Sequence, residues 1–102
     1  MEMRRCIKTD EVTVNMLIHA LREVLREERK SGAATKDTGD FILRLARHTQ
    51  RKLYLTETEH RKAVQALNGL RDTYIKDGRY TDGIDTVLVR IMNARYRRYR
   101  IR

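Results

Sequence analysis

The stretch Arg51-Lys52-Leu53-Tyr54-Leu55-Thr56 lies at the middle of the chain and decides the fold that the sequence predicts. Two basic residues precede three residues typical of a β-strand, and the threonine that follows is a favourable helix cap. The same order occurs earlier, in Arg4-Arg5-Cys6-Ile7-Lys8-Thr9, and again at the end, in Arg97-Arg98-Tyr99-Arg100-Ile101-Arg102. These stretches predict three short basic strands that separate two longer regions.

The first of these regions has the pattern of two amphipathic helices. Apolar residues recur at steps of three and four from about residue 12 to residue 29, and again from about 37 to 50. Thr9 is the expected cap of the first helix, and Gly32 is suited to end it. The chain contains no proline, which favours uninterrupted helices.

The second region repeats this organisation. Thr56 and Glu59 have the spacing of a capping box at the start of a third helix, which Gly78 closes. Thr81 or Asp82 caps a fourth helix. The residues expected in the core are Leu17, Leu21, Val24, Phe41, Leu45, Leu67, Leu70, Val87, Leu88 and Ile91.

The two regions match each other at a shift of 46 residues, or 47 around the strand and the first helix start. Gly32 then falls on Gly78, and Arg44 falls on Arg90. Any two amphipathic hairpins share an apolar stripe, so the alternative is coincidence. Matching glycines, caps and basic strand starts favour a duplication, with a period in the range of helical repeats.

The predicted fold is therefore mainly α, of the α+β class, with two similar helical hairpins and the order β-α-α-β-α-α-β. A chain of 102 residues forms one domain. Its parts are repeat unit one over 4–50, repeat unit two over 51–94, and a basic C-terminal strand or arm over 95–102.

The charge of the chain is concentrated in the predicted strands. Lys and Arg number 23 against 14 Asp and Glu, a net charge of +9, which points to polyanionic partners. Outside the strand segments, the sequence contains 13 basic and 14 acidic residues. The excess therefore lies in ten residues: Arg4, Arg5, Lys8, Arg51, Lys52, Arg95, Arg97, Arg98, Arg100 and Arg102.

If the strands form one sheet, arginines beside tyrosines suit phosphate contact and base stacking. The alternative is that the arginines only protect the sheet edges from pairing. A disordered basic terminal arm would also bind polyanions. The predicted nucleic-acid-binding residues are Arg51, Lys52, Tyr54, Arg95, Tyr96, Arg97, Arg98, Tyr99, Arg100 and Arg102.

The loop Gly78-Arg79-Tyr80-Thr81-Asp82-Gly83 offers a weaker candidate. Arg79 and Thr81 lie beside a helix N-terminus, so they form a candidate anion site. The loop lacks the Walker A and dinucleotide patterns, and an ordinary helix cap after a closing glycine explains the same residues.

Histidine and cysteine give no sign of a metal or catalytic site. His19, His48 and His60 lack metal-ligand spacing, and Glu59-His60 is outside an HExxH frame. Cys6 is the single cysteine, which excludes an internal disulfide, and it is expected to face the core. We expect a protein that is not an enzyme and has no cofactor.

The second half of the chain resembles small uncharacterised proteins carried by phages and other mobile elements of bacteria. The similarity covers about half of the chain, from Leu55-Thr56 through Gly78-Arg79-Tyr80-Thr81-Asp82 to Asn93-Ala94-Arg95. It carries no assigned activity. It implies a protein that acts by binding nucleic acid or a host enzyme, or by inhibiting a defence system.

The leading hypothesis is a non-enzymatic nucleic-acid-binding accessory protein of a phage or mobile element, with DNA, RNA or an acidic protein surface as partner. The alternative is an inhibitor from such an element that binds a host defence protein or sequesters a nucleotide. A third is a structural oligomer, such as a homodimer joined through strand edges. No apolar run approaches the roughly 20 residues that span a bilayer, and no secretory signal is apparent. The expectation is a cytoplasmic protein without membrane contact.

Overall fold

The computed structural model describes residues 2–99 as four helices and one three-stranded sheet. The α+β class, the mainly helical content and the predicted order of elements are confirmed. The basic C-terminal segment is a strand as far as Tyr99, and its predicted continuation over residues 100–102 lies outside the described part. In chain order, the elements are β1 (Glu2–Lys8), α1 (Glu11–Ser31), α2 (Lys36–Ala46), β2 (Lys52–Leu55), α3 (Glu57–Lys76), α4 (Asp82–Met92) and β3 (Arg95–Tyr99).

The strand β1 lies at the centre of the sheet and pairs antiparallel with both neighbours, in the order β2-β1-β3. Cys6 is directly opposite Tyr54 on one side and Arg95 on the other. Pairing with β2 stops at Arg5 opposite Leu55, whereas pairing with β3 continues to Glu2 opposite Tyr99. The first, middle and last segments of the chain thus meet in one sheet.

The start of α1 differs from the prediction by one residue. Asp10, not Thr9, is the N-cap: its backbone is extended and its carboxylate accepts the Thr13 amide at 2.7 Å. Thr9 instead bonds to the residue before β2, donating its amide to the Arg51 carbonyl at 2.6 Å and its hydroxyl to the same oxygen at 3.0 Å. The carboxylate therefore takes the cap position, where it also interacts favourably with the helix dipole.

The end of α2 also differs, because the helix stops at Ala46 and not near residue 50. The amides of Arg47 and His48 bond back to Leu43 and Leu45 in its last turn. The apolar periodicity of this segment ends at the same point. The polar residues that follow turn the chain toward β2.

The second hairpin follows the predicted caps closely. The Thr56 hydroxyl accepts the Glu59 amide at 3.1 Å, and Glu59 accepts the Thr56 amide at 2.9 Å, which completes the capping box. Gly78, just after α3, has φ 70°, a left-handed conformation that costs glycine little. Thr81 occupies the N-cap position of α4 without a side-chain capping bond.

The core lies between the helices and one side of the sheet. α1 packs against α3, with α2 beside α1 and α4 beside α3. Ile7, Leu53 and Leu55 close the core from the sheet, each at most 4 % exposed. Nine of the ten predicted core residues are confirmed as buried, and Val24 is half-buried at the margin.

Each short helix is bonded through one arginine to the long helix of the other hairpin. Arg44 of α2 donates from Nε to Glu59 at 3.0 Å. Arg90 of α4 donates from Nη1 to Thr13 at 2.7 Å. Glu59 and Thr13 are each the third residue of their helix, so both bonds end in a first turn.

Candidate nucleic-acid interface

The two faces of the sheet differ in burial and chemistry. Successive residues of a strand point to opposite sides, and directly opposed residues of neighbouring strands share a side. The inner face, which carries every buried strand residue, consists of Met3, Arg5, Ile7, Leu53, Leu55, Tyr96 and Arg98. The outer face consists of Glu2, Arg4, Cys6, Lys8, Lys52, Tyr54, Arg95, Arg97 and Tyr99.

The outer face concentrates positive charge on a surface with no buried residue. Lys8 lies directly opposite Lys52, and Arg4 lies directly opposite Arg97. Arg95 is the fifth cation among the described residues of this face, and the only carboxylate among them is that of Glu2. Like charges held this close repel each other in the free protein, which a bound polyanion relieves.

An aromatic cluster occupies one end of the outer face. The rings of Tyr54 and Tyr99 meet edge to face, with centroids 5.4 Å apart, although β1 separates their strands. The Arg4 guanidinium lies 3.9 Å from the centroid of the Tyr99 ring. Glu2 accepts from the same guanidinium at 3.0 and 3.2 Å, and this bond raises the pKa of Arg4 above its ordinary value. Arg4 is thereby fixed beneath the ring, with its side chain only 21 % exposed.

The structure therefore brings together five of the ten predicted binding residues: Lys52, Tyr54, Arg95, Arg97 and Tyr99. Arg51 is exposed and precedes β2, where its carbonyl accepts from Thr9. Tyr96 and Arg98 belong to the inner face, on the opposite side of β3. Arg100 and Arg102 lie outside the described residues.

Tyr96 takes part in a contact that holds the sheet to α3. Its hydroxyl donates to the Glu57 carboxylate, to which Arg5 Nε also donates at 3.0 Å. The bond from Tyr96, followed by that from Arg5, lowers the pKa of Glu57, and the carboxylate raises the pKa of Tyr96. Arg5 also donates to the Ala94 carbonyl at 3.2 Å. These two inner-face side chains therefore join three elements.

Sequence reasoning left Arg4 and Lys8 out of the binding set, although both lie on the outer face. The signal that could have found them is the alternation of β1, in which residues 2, 4, 6 and 8 share one side. Cys6, expected to face the core, is on the outer face between Tyr54 and Arg95 and is half-buried. The prediction for Cys6 is wrong because Ile7 takes the inner position.

The loop before α4 uses its polar groups internally. The Thr81 hydroxyl donates to Asp85 at 2.8 Å, and Arg71 Nε donates to the same carboxylate at 2.7 Å. These bonds, that of Thr81 first, lower the pKa of Asp85. The guanidinium of Arg79 lies 3.9 Å from the centroid of the Tyr74 ring. Thr81 thus faces a carboxylate and Arg79 packs on an aromatic ring; the anion site stays a prediction.

The histidines and acidic residues do not assemble into a metal site in the described part of the chain. Within residues 2–99, no three His, Cys, Asp or Glu side chains are grouped so as to hold a metal ion. His60 Nε2 lies 2.8 Å from the Ile91 carbonyl, a contact that joins α3 to α4. Among the same residues, no helix combines the length and apolar character needed to cross a bilayer.

Three comparisons with known proteins place no constraint on this site. No family model, no curated protein and no solved structure matches the chain.

Proposed function

We propose that this protein binds nucleic acid through the outer face of its sheet and acts without catalysing a reaction. The observation that carries the proposal is the convergence of positively charged side chains. Cations from three distant parts of the chain, represented by Lys8, Lys52 and Arg97, meet on one face, whose described residues include a single carboxylate. Phosphate contacts of this kind supply most of the affinity of non-specific nucleic-acid binding.

The positions of the cations argue against edge protection as their whole explanation. Charges that prevent strands from pairing between molecules are needed on edge strands. Among the described residues, Arg4 pairs only with Arg97 of β3, and Lys8 pairs only with Lys52 of β2, so each lies directly opposite another cation. Like charges directly opposite each other are destabilising. Edge protection accounts for a cation on each open edge, but it does not require two cations to lie directly opposite each other.

The spacing of the exposed arginines also suits a polyanionic strand. Arg95 and Arg97 are two residues apart on the same face of β3, which places their Cα atoms about 6.7 Å apart. Long side chains at that spacing can contact successive phosphates of an extended backbone. Arg97 lies beside the Arg4–Tyr99 pair, so phosphate contacts and the aromatic cluster adjoin.

We also propose that the two hairpins arose by duplication of one β-α-α unit. The support is a constant shift of 46 residues between features of equal role. It relates the N-caps Asp10 and Thr56, the arginines Arg44 and Arg90 of the short helices, and buried positions such as Leu21 and Leu67. The shift of 47 at the first helix start becomes 46 once Asp10 replaces Thr9 as the cap.

The biological setting that we propose is a phage or mobile element, on the strength of the resemblance of the second half. In that setting an inhibitor of a host protein is the competing function. Its expected partner surface is acidic, and the same outer face would serve it. The experiment below separates the two.

The test is fluorescence anisotropy of labelled oligonucleotides at about 50 and 200 mM salt. Four phosphate contacts to a single strand predict an affinity that falls roughly 50-fold between these concentrations. The variant Arg95→Gln with Arg97→Gln should lose most of the binding. The matched control is Arg22→Gln with Arg29→Gln, which removes the same charge from exposed positions of α1.

Binding at low salt that disappears in the β3 variant but persists in the α1 variant is the expected result. Equal loss in both variants would mean that net charge, and not the outer face, determines affinity. Absence of binding at about 50 mM salt would contradict the proposal. An acidic protein surface would then be the partner to seek.

A further inference from the structure

We infer that the ligand of the outer face is single-stranded RNA or DNA, with bases stacked on Tyr54 and Tyr99. This inference rests on the proposed function and adds the form of nucleic acid that the face accepts. It is carried by the aromatic cluster, which phosphate binding alone does not require.

The geometry of the cluster suits stacking. Tyr54 and Tyr99 belong to the two edge strands, β2 and β3, and their ring centroids lie 5.4 Å apart over β1. Aromatic side chains on an exposed sheet are a general means of holding unpaired bases, because every base presents a π-face. Arg4 packs on Tyr99 and is held by Glu2, so the ring is supported before any ligand arrives.

The cluster is also placed next to cations on both sides. Arg97 is opposite Arg4 on β3, and Lys8 and Lys52 face each other further along β1. A strand that crosses the face can therefore place bases on the tyrosines and its phosphates on the flanking side chains. This combination of stacking positions and a positively charged path characterises single-strand binding surfaces.

The shape of the face disfavours a duplex. The two edge strands lie about 10 Å apart, with β1 between them. The major groove of a duplex accepts a helix or a two-stranded ribbon, whereas this sheet has three strands. The inner face, which carries the buried residues Ile7, Leu53 and Leu55, is the side that packs on the helices. Within residues 2–99, the helices therefore pack on the side of the sheet opposite Tyr54 and Tyr99. The two-stranded end of β1 and β3 has the width for a groove, but Glu2 lies at its tip.

The experiment compares one labelled oligonucleotide as a single strand, as a duplex, and as a single strand with abasic positions. Inorganic polyphosphate serves as a competitor without bases. The inference predicts tighter binding of the single strand than of the duplex. It also predicts weaker binding of the abasic strand, and poor competition by polyphosphate at equal charge. These measurements use the unaltered protein and do not depend on the folding of a variant.

Variants locate the stacking positions. Tyr54→Leu and Tyr99→Leu should each weaken single-strand binding by about tenfold. Tyr54→Phe and Tyr99→Phe should retain it, because the ring remains. The control is Tyr80→Leu, since Tyr80 is 92 % exposed in the loop before α4 and should not affect binding. Circular dichroism and thermal unfolding verify that each variant is folded.

Three results would overturn the inference while leaving the proposed function intact. They are duplex binding as tight as single-strand binding, equal affinity for the abasic strand, and tyrosine variants that behave like Tyr80→Leu. In each case the dependence on Arg95 and Arg97 would persist. Absence of binding to every probe at low salt would instead remove both proposals together.

Discussion

Arg90, near the end of α4, donates a hydrogen bond of 2.7 Å to the hydroxyl of Thr13 in the first turn of α1, across 77 positions of sequence. Thr13 is 1 % exposed, so its oxygen has no access to water that would replace this donor. The same guanidinium lies 3.7 Å from Asp10, the residue that caps the helix. One side chain of the second hairpin thus completes the start of the first.

We predict that Arg90→Ala lowers the free energy of unfolding by about 1–2 kcal/mol, because it leaves a buried hydroxyl without its donor. Urea unfolding followed by circular dichroism measures the change. Arg61→Ala, at an exposed position of α3, is the control and should be close to neutral. A double-mutant cycle with Thr13→Ala should show coupling between the two positions, and additive effects would contradict this hydrogen bond.

We predict that truncating a side chain buried between α1 and α3 lowers stability most. Leu67 is fully buried on α3, so Leu67→Ala should cost about 2–5 kcal/mol through lost burial and the cavity left behind. Leu43→Ala is the control, since Leu43 is 53 % exposed on α2. Equal midpoints of thermal unfolding for the two variants would contradict the described core.

We predict that Asp85 contributes to the pH dependence of the free energy of unfolding. Its folded pKa lies below the ordinary value of 3.8, because Thr81 and then Arg71 donate to the carboxylate. Stability from this group is therefore fully present above the unfolded pKa of about 3.8 and is lost as the pH falls through the lower folded value. The difference in stability between the unaltered protein and Asp85→Asn should shrink as the pH falls below 3.8. A constant difference, or an equal effect of Asp72→Asn at an exposed site, would refute this role.

The sequence predicted the elements because each carries a local signal. Apolar periodicity and caps define the helices, and the capping box of Thr56 and Glu59 is formed as predicted. The one-residue error at α1 arose because Thr9 and Asp10 both suit a cap, and pairing with β2 decides between them. Local chemistry cannot make that choice without the sheet.

The candidate site was only partly predictable, for a similar reason. Composition identified the basic strands but not which side each residue takes, since strand register depends on long-range pairing. The prediction therefore placed Tyr96 and Tyr99 in the same binding surface, although the two lie on opposite faces of the sheet. Arg4 and Arg5 are adjacent in sequence, yet one supports the aromatic cluster and the other bonds to Glu57.

The measurement that tests the central claim most directly is the alkylation rate of Cys6 with and without a bound oligonucleotide. Cys6 is the only cysteine and lies on the outer face between Tyr54 and Arg95, so it reports on this surface in the unaltered protein. A control protein with Cys6→Ala and Asn68→Cys carries the thiol at an exposed position of α3.

We predict that a saturating single-stranded oligonucleotide slows alkylation at Cys6 severalfold and leaves the rate at position 68 unchanged. Protection should be lost at high salt together with binding. An oligonucleotide that binds while Cys6 reacts at its free rate would contradict the outer face as the nucleic-acid interface.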